Sequence, residues 1–485
     1  RLPVLLLMLA AAGCATQRPG PEGAAPDGTQ QAALQMAVGA HGEAYLVWMT
    51  VGGQGGEREL RFSRSEDGGA TWSGPLWSRK PAQGMFAELI QLATGPTGQV
   101  YLAWRERNAN KDDTRILVAR SLDGGKHWDE TPHKLAVGDH LGPPHLQAGP
   151  NGALYVAWVG GDESRRVLEV ATSQDSGGTF APTPARLQPV FTESDRGITS
   201  PRLATDDKGR VYAVWEEATK RKGDSGIYLS RSEDHGRTWS EPILVSRPGE
   251  DSHGSHAPRI ATAPDGQIYL IWEQFDPRTV RLEGRTEWPT DRMIYFTRSL
   301  DGGRTWLSRP IRLSQLDPMS FRQRKSFAAQ IASDGRGHVY VAFIEGEGAH
   351  ARRLVVLHSA DSGATWAEPT ELGRTSGVKG RPEDAVLTHD GGGRLWMVWQ
   401  EHAFGPRYGW FVLMNRSLDH GQQWADEAVM MSGPAARQTT MRDLLVAVGE
   451  NGLILTAWDH GVGVYQPIVL NRSTDGGKSW SPSRL

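Results

Sequence analysis

The sequence predicts an all-β fold, a β-propeller of eight blades with four antiparallel strands in each. Three observations predict it. A turn of the form S-x-D-x-G-x-x-[WF] recurs eight times, at intervals of 52 to 67 residues. An apolar strand ending in an aromatic precedes each copy. Gly-, Pro- and Asp-rich turn signals separate runs of four to six β-forming residues throughout. Units that cannot bury their faces alone stack around an axis, so the repeat overrides the several-domain expectation for 485 residues.

The turn is clearest at Ser299-Leu300-Asp301-Gly302-Gly303-Arg304-Thr305-Trp306, and its sisters start at Ser65, Ser121, Ser173, Ser232, Ser359, Ser417 and Ser473. The aspartates are Asp67, Asp123, Asp175, Asp234, Asp301, Asp361, Asp419 and Asp475. An Asp at such a corner accepts hydrogen bonds from backbone N–H groups a few residues on. The glycine two positions later supplies a positive φ, and the Ser hydroxyl satisfies another turn group. The closing aromatic, Trp in seven copies and Phe180 in the third, re-enters the hydrophobic layer. Eight copies of one acidic residue read as structure, not catalysis.

Each block opens with a short strand, such as Pro201 to Thr205 or Pro258 to Thr262, and turns at a Gly-containing corner such as Pro264-Asp265-Gly266. The apolar strand follows, as at Val100 to Trp104, Val211 to Trp215 and Ile268 to Trp272. A variable loop leads to a third strand such as Ile116 to Arg120, which enters the turn, and a fourth such as Glu241 to Val245 leaves it. In the last block only Ser481 to Leu485 can supply the fourth strand, so the N-terminal segment is a candidate for helping to close the ring.

Net charge is −3 with no long basic run, which gives no electrostatic reason to expect nucleic acid. The single cysteine, Cys14, excludes an intrachain disulfide. Leu2 to Ala12 is an apolar stretch too short to span a bilayer and placed like a signal-peptide core. It ends in Ala11-Ala12-Gly13-Cys14, which resembles the bacterial lipoprotein box. The resemblance implies cleavage before Cys14 and lipidation of that residue. The sequence thus divides into a signal and lipidation Cys (1–14), a flexible Pro/Gly/Ala-rich spacer (15–31) and the propeller (32–485). The expected location is the cell envelope, lipid-anchored or secreted, with the membrane met only through the N-terminal lipid. A monomer is expected.

The repeated turn resembles the Asp box, or bacterial neuraminidase repeat, and the chain after the spacer resembles the sialidase-like propeller superfamily. That resemblance implies a six-bladed relative with an arginine triad gripping a substrate carboxylate, a Tyr nucleophile assisted by Glu, and an Asp acid/base. Trp104-Arg105-Glu106-Arg107 through Asp112-Asp113 to Arg120-Ser121 is similar to the acid/base loop and following strand of a sialidase first blade. The family's F/Y-R-I-P string is absent, and Gln91 stands where the upstream strand would carry Arg.

If the repeated turns lie on one face, the second-to-third-strand loops lie on the other. Ionisable residues collect there: Arg105, Glu216, Glu217, Glu273, Glu345 and Glu401 past the second-strand aromatic, and His145, Arg202, His256, Arg259, Arg381 and Arg442 entering the first strand. The catalytic candidates are Glu217, Glu273, Glu401 and Tyr408, the last as a nucleophile in the sialidase reading. The substrate-binding candidates are Arg105, Arg202, Arg259, His256, Arg381 and Arg442, with Trp288 in the long blade-five loop as a platform for a sugar ring. Arg202 and Arg259 occupy equivalent positions in adjacent blades, where they grip an anion or bridge to neighbouring glutamates such as Glu217 or Glu273. No metal-ligand spacing, P-loop, dinucleotide fingerprint or Gly-x-Ser-x-Gly elbow appears, so no metal or cofactor is expected. The expected partner is a carbohydrate, an acidic glycan, engaged either by a sialidase-like glycosidase or by a catalytically silent binder. The alternative partner is a cell-envelope protein, with the ring serving as a scaffold.

Overall fold

The computed structural model describes residues 30–51, 58–162, 165–187, 197–218, 225–246, 254–275, 281–282, 285–286, 292–314, 324–347, 351–373, 380–404, 409–432, 440–449, 452–461 and 468–483. These form eight consecutive four-stranded antiparallel meanders. Blade one comprises Gln30–Val38, Ala44–Val51, Arg58–Ser65 and Trp77–Arg79. Blade eight comprises Thr440–Val448, Ile454–Gly461, Ile468–Ser473 and Ser481–Ser483. The sheets of blades five and six are joined by a single parallel bridge, Arg292 to Lys325. In the blade-five insertion, Arg281–Leu282 and Arg285–Thr286 pair as a small hairpin.

The core is distributed between blades. Eight buried clusters fill the eight interfaces, one per pair of neighbours. The second-strand aromatics are their largest members, with Trp104, Trp158, Trp215 and Trp272 wholly buried. The ring closes by the same means. Leu34, Leu46 and Trp48 of blade one pack on Leu445, Leu455 and Leu470 of blade eight. Arg472 Nε also donates to the Gly68 carbonyl at 2.8 Å. All four strands of blade eight come from one continuous stretch, with Ser481–Ser483 pairing to Leu470, Asn471 and Arg472. Closure therefore needs no strand lent by the N-terminal segment.

The repeated turn is one hydrogen-bonded unit in all eight copies. In blade five, Ser299 Oγ donates to Asp301 Oδ1 (2.8 Å) and accepts from the Gly303 N–H (2.8 Å). Asp301 also takes the N–H and hydroxyl of Thr305. Burial opposes the charge of Asp67 and Asp234, but hydrogen bonds from the turn outweigh it and hold both carboxyls down at about 2. Two successive residues adopt positive φ, Gly302 at 74° and Gly303 at 82°. The second is glycine in every copy for a further reason. A Cβ at Gly69, Gly125 or Gly363 would meet Leu455, Phe62 or Phe296 of the preceding blade at 2.4–2.5 Å. Each turn therefore docks on its neighbour as well as joining its own strands. Its N–H groups also reach the first-to-second-strand corner, as from Ser362 to the Gly337 carbonyl (2.7 Å), which puts both kinds of turn on one face.

Candidate functional site

The opposite face is shaped by a feature of the first strands. In blades one, two, four, five, six, seven and eight, two first-strand residues stand opposite one residue of the second strand. In six of these blades the single residue is the aromatic: Trp48, Trp104, Trp215, Trp272, Phe343 or Trp458. Leu89, Ser200, Ala257, Ala328 and Asp443 take φ of 49–55° at these bulges, a left-handed conformation that non-glycine residues adopt at a cost. A bulge re-aims the side chains next to it and frees a backbone N–H.

One register position recurs around the ring. The residue paired with the one preceding the aromatic is Gln35, Gln91, His145, Arg202, Arg259 or Gln330 in blades one to six. Val386 and Leu445 stand in register with these in blades seven and eight. Because the first strand is innermost, these residues ring the axis. His145, Arg202 and Arg259 occupy three consecutive blades and make one arc of the ring basic. The long side chains curl back onto the bulge, Gln35 to the Leu34 carbonyl (2.8 Å), Arg202 to Pro201 (2.9 Å) and Arg259 to Pro258 (3.3 Å).

No ion pair among the described residues neutralises this arc. Among the described residues neither Arg202 nor Arg259 has a carboxylate within 4.0 Å, and Arg259 Nε is buried without a hydrogen-bond partner. Burial, and then the charge of Arg259, pushes Arg202 down from 12.5 to about 9. Burial also lowers Arg259, with Glu273 offsetting part of the effect. Burial and the two guanidiniums push His145 down to about 3, so its imidazole is neutral at ordinary pH. Its Nδ1 accepts the Leu203 N–H at 3.3 Å.

The candidate carboxylates separate into two sets. Glu217 and Glu401, two residues past the aromatic, turn into the blade, and both are 0% exposed. They accept the indole N–H of Trp215 (3.4 Å) and Trp399 (3.1 Å), and Glu106 does the same for Trp104 (3.1 Å). Glu216 and Glu273, one residue past the aromatic, point the other way and reach the next blade's bulge. Glu216 accepts from the Ala257 N–H (3.2 Å) and meets His256 Nδ1 (2.7 Å). Glu273 accepts from the Ala328 N–H (3.2 Å) and from Arg292 (3.1 Å). Burial raises the Glu273 carboxyl above its ordinary range despite Arg292, that N–H and Arg259. Since Arg259 and Glu273 both shift toward neutrality, desolvation outweighs their mutual attraction.

Arg105 and Arg107 both bind Glu88, and Arg105 also donates to the Leu141 carbonyl. Arg381 pairs with Glu383 (2.9 Å), which also takes Arg352 (2.8 Å). Arg105, His256 and Arg381 are thus committed to carboxylates, whereas Arg202 and Arg259 are brought together without one. Tyr408, Trp288, Cys14 and the side chain of Arg442 lie outside the described residues. The bulges escaped the sequence reading because an extra residue leaves no mark on composition. The ring did leave one: Gln35-Met-Ala, Gln91-Leu-Ala, Arg202-Leu-Ala, Arg259-Ile-Ala and Gln330-Ile-Ala share a pattern.

No family model matches the chain, and no curated protein matches it in sequence. Solved structures share its architecture. An ulvan lyase of polysaccharide lyase family PL25, bound to -[GlcA(1-4)Rha3S]-, is 13% identical, with 78% of this chain and 90% of that chain covered and a TM-score of 0.50. The GH74 xyloglucanase from Xanthomonas campestris is 15% identical, with 92% and 66% covered and a TM-score of 0.46. The α-L-arabinanase from Penicillium chrysogenum, complexed with arabinobiose, is 16% identical, with 69% and 94% covered and a TM-score of 0.38. At these identities the likeness is one of fold, and these neighbours are carbohydrate-active enzymes.

Proposed function

We propose that the chain engages an acidic glycan at the loop-side mouth of its axis, with a carboxylate or sulfate group seated between Arg202 and Arg259. One observation carries this reading: two half-buried guanidiniums in adjacent blades, at the same register position, have no carboxylate within 4.0 Å among the described residues. Burying an unpaired cation costs several kcal/mol, and an anionic ligand removes that cost on binding. Guanidinium suits the task because its forked N–H groups match the planar oxygens of a carboxylate or sulfate. The ulvan lyase among the structural neighbours was solved with a ligand that carries both a uronic acid and a sulfate, which supports the same chemistry here.

A catalytic version of this reading has its own observation. With Nδ1 accepting the Leu203 N–H, the neutral His145 presents its Nε2–H as a donor beside the two arginines, and Glu273, whose carboxyl burial raises, lies near Arg259 as a group for proton exchange at the proposed anion site. Sialidase-like hydrolysis is the form that the repeated turn suggests. Attachment to the cell envelope through Cys14 is the companion proposal and rests on the lipoprotein-box resemblance alone; metabolic labelling with a fatty acid, repeated on Cys14→Ser, tests it.

The deciding experiment titrates the purified protein with sialosides and with uronate- and sulfate-bearing oligosaccharides by calorimetry, then repeats it with Arg259→Ala. Product analysis of the same mixtures reads turnover. Saturable binding to acidic but not neutral sugars, lost in the variant, supports the proposal. Absence of binding, or binding indifferent to Arg259, overturns it.

A further inference from the structure

A second polar cluster lies on the turn face between blades six and seven, away from the arginine arc. Its starting point is the corner between Arg324–Ser333 and Val339–Glu347. There Asp334 Oδ1 accepts the N–H groups of Arg336 (2.8 Å) and His338 (3.2 Å). The same corner occurs in two other blades with the same spacing. In blade four, Asp206 Oδ1 accepts from Lys208 and Arg210, both at 3.0 Å. In blade seven, Asp390 Oδ1 accepts from Gly392 (2.8 Å) and Arg394 (3.1 Å).

The other carboxylate oxygen sets blade six apart. Asp206 Oδ2 receives Arg210 Nε (2.6 Å) and the Tyr212 hydroxyl (2.9 Å), and Asp390 Oδ2 receives Arg394 Nε. In blade six the residue at the arginine's position is His338. Among the described residues Asp334 Oδ2 is left without a hydrogen-bond partner, although its side chain is only 1% exposed. A buried, unsatisfied carboxylate oxygen is among the costlier defects a fold can carry.

The neighbouring blade has changed to match. Beside Arg210, the turn of blade five places Gly302, where an added Cβ would lie 2.4 Å from Arg210 Nη1. At the equivalent point beside Asp334, the turn of blade seven places His420, held at φ 60°. One guanidinium and a glycine are thus exchanged for two imidazoles. His420 Nδ1 lies 3.6 Å from Asp334 Oδ2, and the His338 and His420 rings stack at 4.1 Å. Ligand-capable atoms of Asp334, His338 and His420 all lie within 4.8 Å of one another. His338 Nδ1 is hydrogen-bonded to His358 Nε2 (2.9 Å), which leaves His338 Nε2 to serve as a ligand.

We propose that Asp334, His338 and His420 bind one divalent transition-metal ion of the zinc type, clamping blade six to blade seven where an arginine serves in blade four. Two imidazoles and a carboxylate are a donor set suited to zinc, and small ring rotations would bring them to its bonding distance of about 2.0–2.2 Å. The ion meets the unsatisfied Asp334 oxygen as Arg210 meets that of Asp206.

The test uses untagged protein, stripped with a chelator and titrated with Co²⁺ and Zn²⁺. The diagnostic variant is His420→Gly, because Gly68, Gly124, Gly302 and Gly476 hold the same left-handed position in other blades and the turn tolerates it. His235→Gly, the same change in blade four's turn, is the control. The wild type is expected to bind one Co²⁺ with visible ligand-field bands, displaced by Zn²⁺, and to melt at higher temperature with Zn²⁺ present. His420→Gly should lose about 100-fold or more in affinity and the thermal response, whereas His235→Gly keeps both. No stoichiometric metal binding by the wild type, or equal affinity in His420→Gly, overturns the proposal.

Discussion

Replacing Arg202 with methionine should stabilise the protein while abolishing acidic-glycan binding. Methionine keeps much of the stem's volume and removes the charge. In the folded state, burial and the Arg259 charge lower Arg202 from 12.5 to about 9, which disfavours the charged form by about 5 kcal/mol. The variant forfeits the hydrogen bond to the Pro201 carbonyl, worth about 1 kcal/mol. Exchanging a buried ion for an apolar side chain of similar size is typically neutral or stabilising by about 1–4 kcal/mol, so a net gain of about 1–3 kcal/mol is expected. Truncating a buried partner of a charged ligand costs about 2–5 kcal/mol, or roughly 30-fold or more in affinity. Denaturant titration at constant slope reads the first quantity, and calorimetry with a uronate oligosaccharide reads the second. A lower midpoint together with unchanged affinity would refute the reasoning, since it would make Arg202 a structural residue.

The remaining predictions concern neighbouring groups. His145 binds its proton only near pH 3 when folded but near 6.5 when unfolded. The unfolded chain holds more protons between those values, so the stability is present above pH 6.5 and is lost as pH falls toward 3. His145→Gln should flatten that acid limb by up to about 5 kcal/mol, read from unfolding midpoints across the window. Glu217→Gln and Glu401→Gln keep an oxygen for the Trp215 and Trp399 indoles; glycan binding and any turnover should persist, and loss of turnover with binding and fold intact would return them to catalysis. Asp234→Ala removes the acceptor for the Thr238 N–H and hydroxyl and for Ser232, and should cost about 1–3 kcal/mol in an unfolding titration without altering ligand affinity.

The fold was legible because each repeated residue satisfies a local requirement. The Ser–Asp–Gly turn closes within a few residues, and the alternation of the second strand needs only its neighbours across the sheet. The loop-side face was legible only in outline. Arg202 and Arg259 were visible as equivalent positions, but their lack of partners depends on where Glu273 and Glu217 turn. A one-residue difference past the aromatic sends Glu273 to the next blade's bulge and Glu217 to the indole of Trp215. Period-two alternation separates the two faces, whereas the bulge that decides which blade each face meets is set by tertiary pairing. The Asp334 cluster was not legible as ligand spacing, because its members come from a corner of one blade and a turn of the next, 82 residues apart between His338 and His420.

In both clusters the chemistry lies where the repeat is broken. A position that holds Gln in blades one, two and six holds His145, Arg202 and Arg259 in the blades between. A corner that holds Asp and Arg in blades four and seven holds Asp334 and His338 in blade six. The repeat therefore supplies its own control, and the double variant His338→Arg/His420→Gly rewrites blade six in the form of blade four. The introduced guanidinium should reach Asp334 Oδ2 as Arg210 reaches Asp206 Oδ2, with glycine vacating the space as Gly302 does. The expected product melts near the metal-loaded wild type, and neither chelator nor Zn²⁺ moves it. If it melts well below the chelated wild type, the two corners are not interchangeable, and the inference from the arginine in blade four to a cation in blade six fails with them.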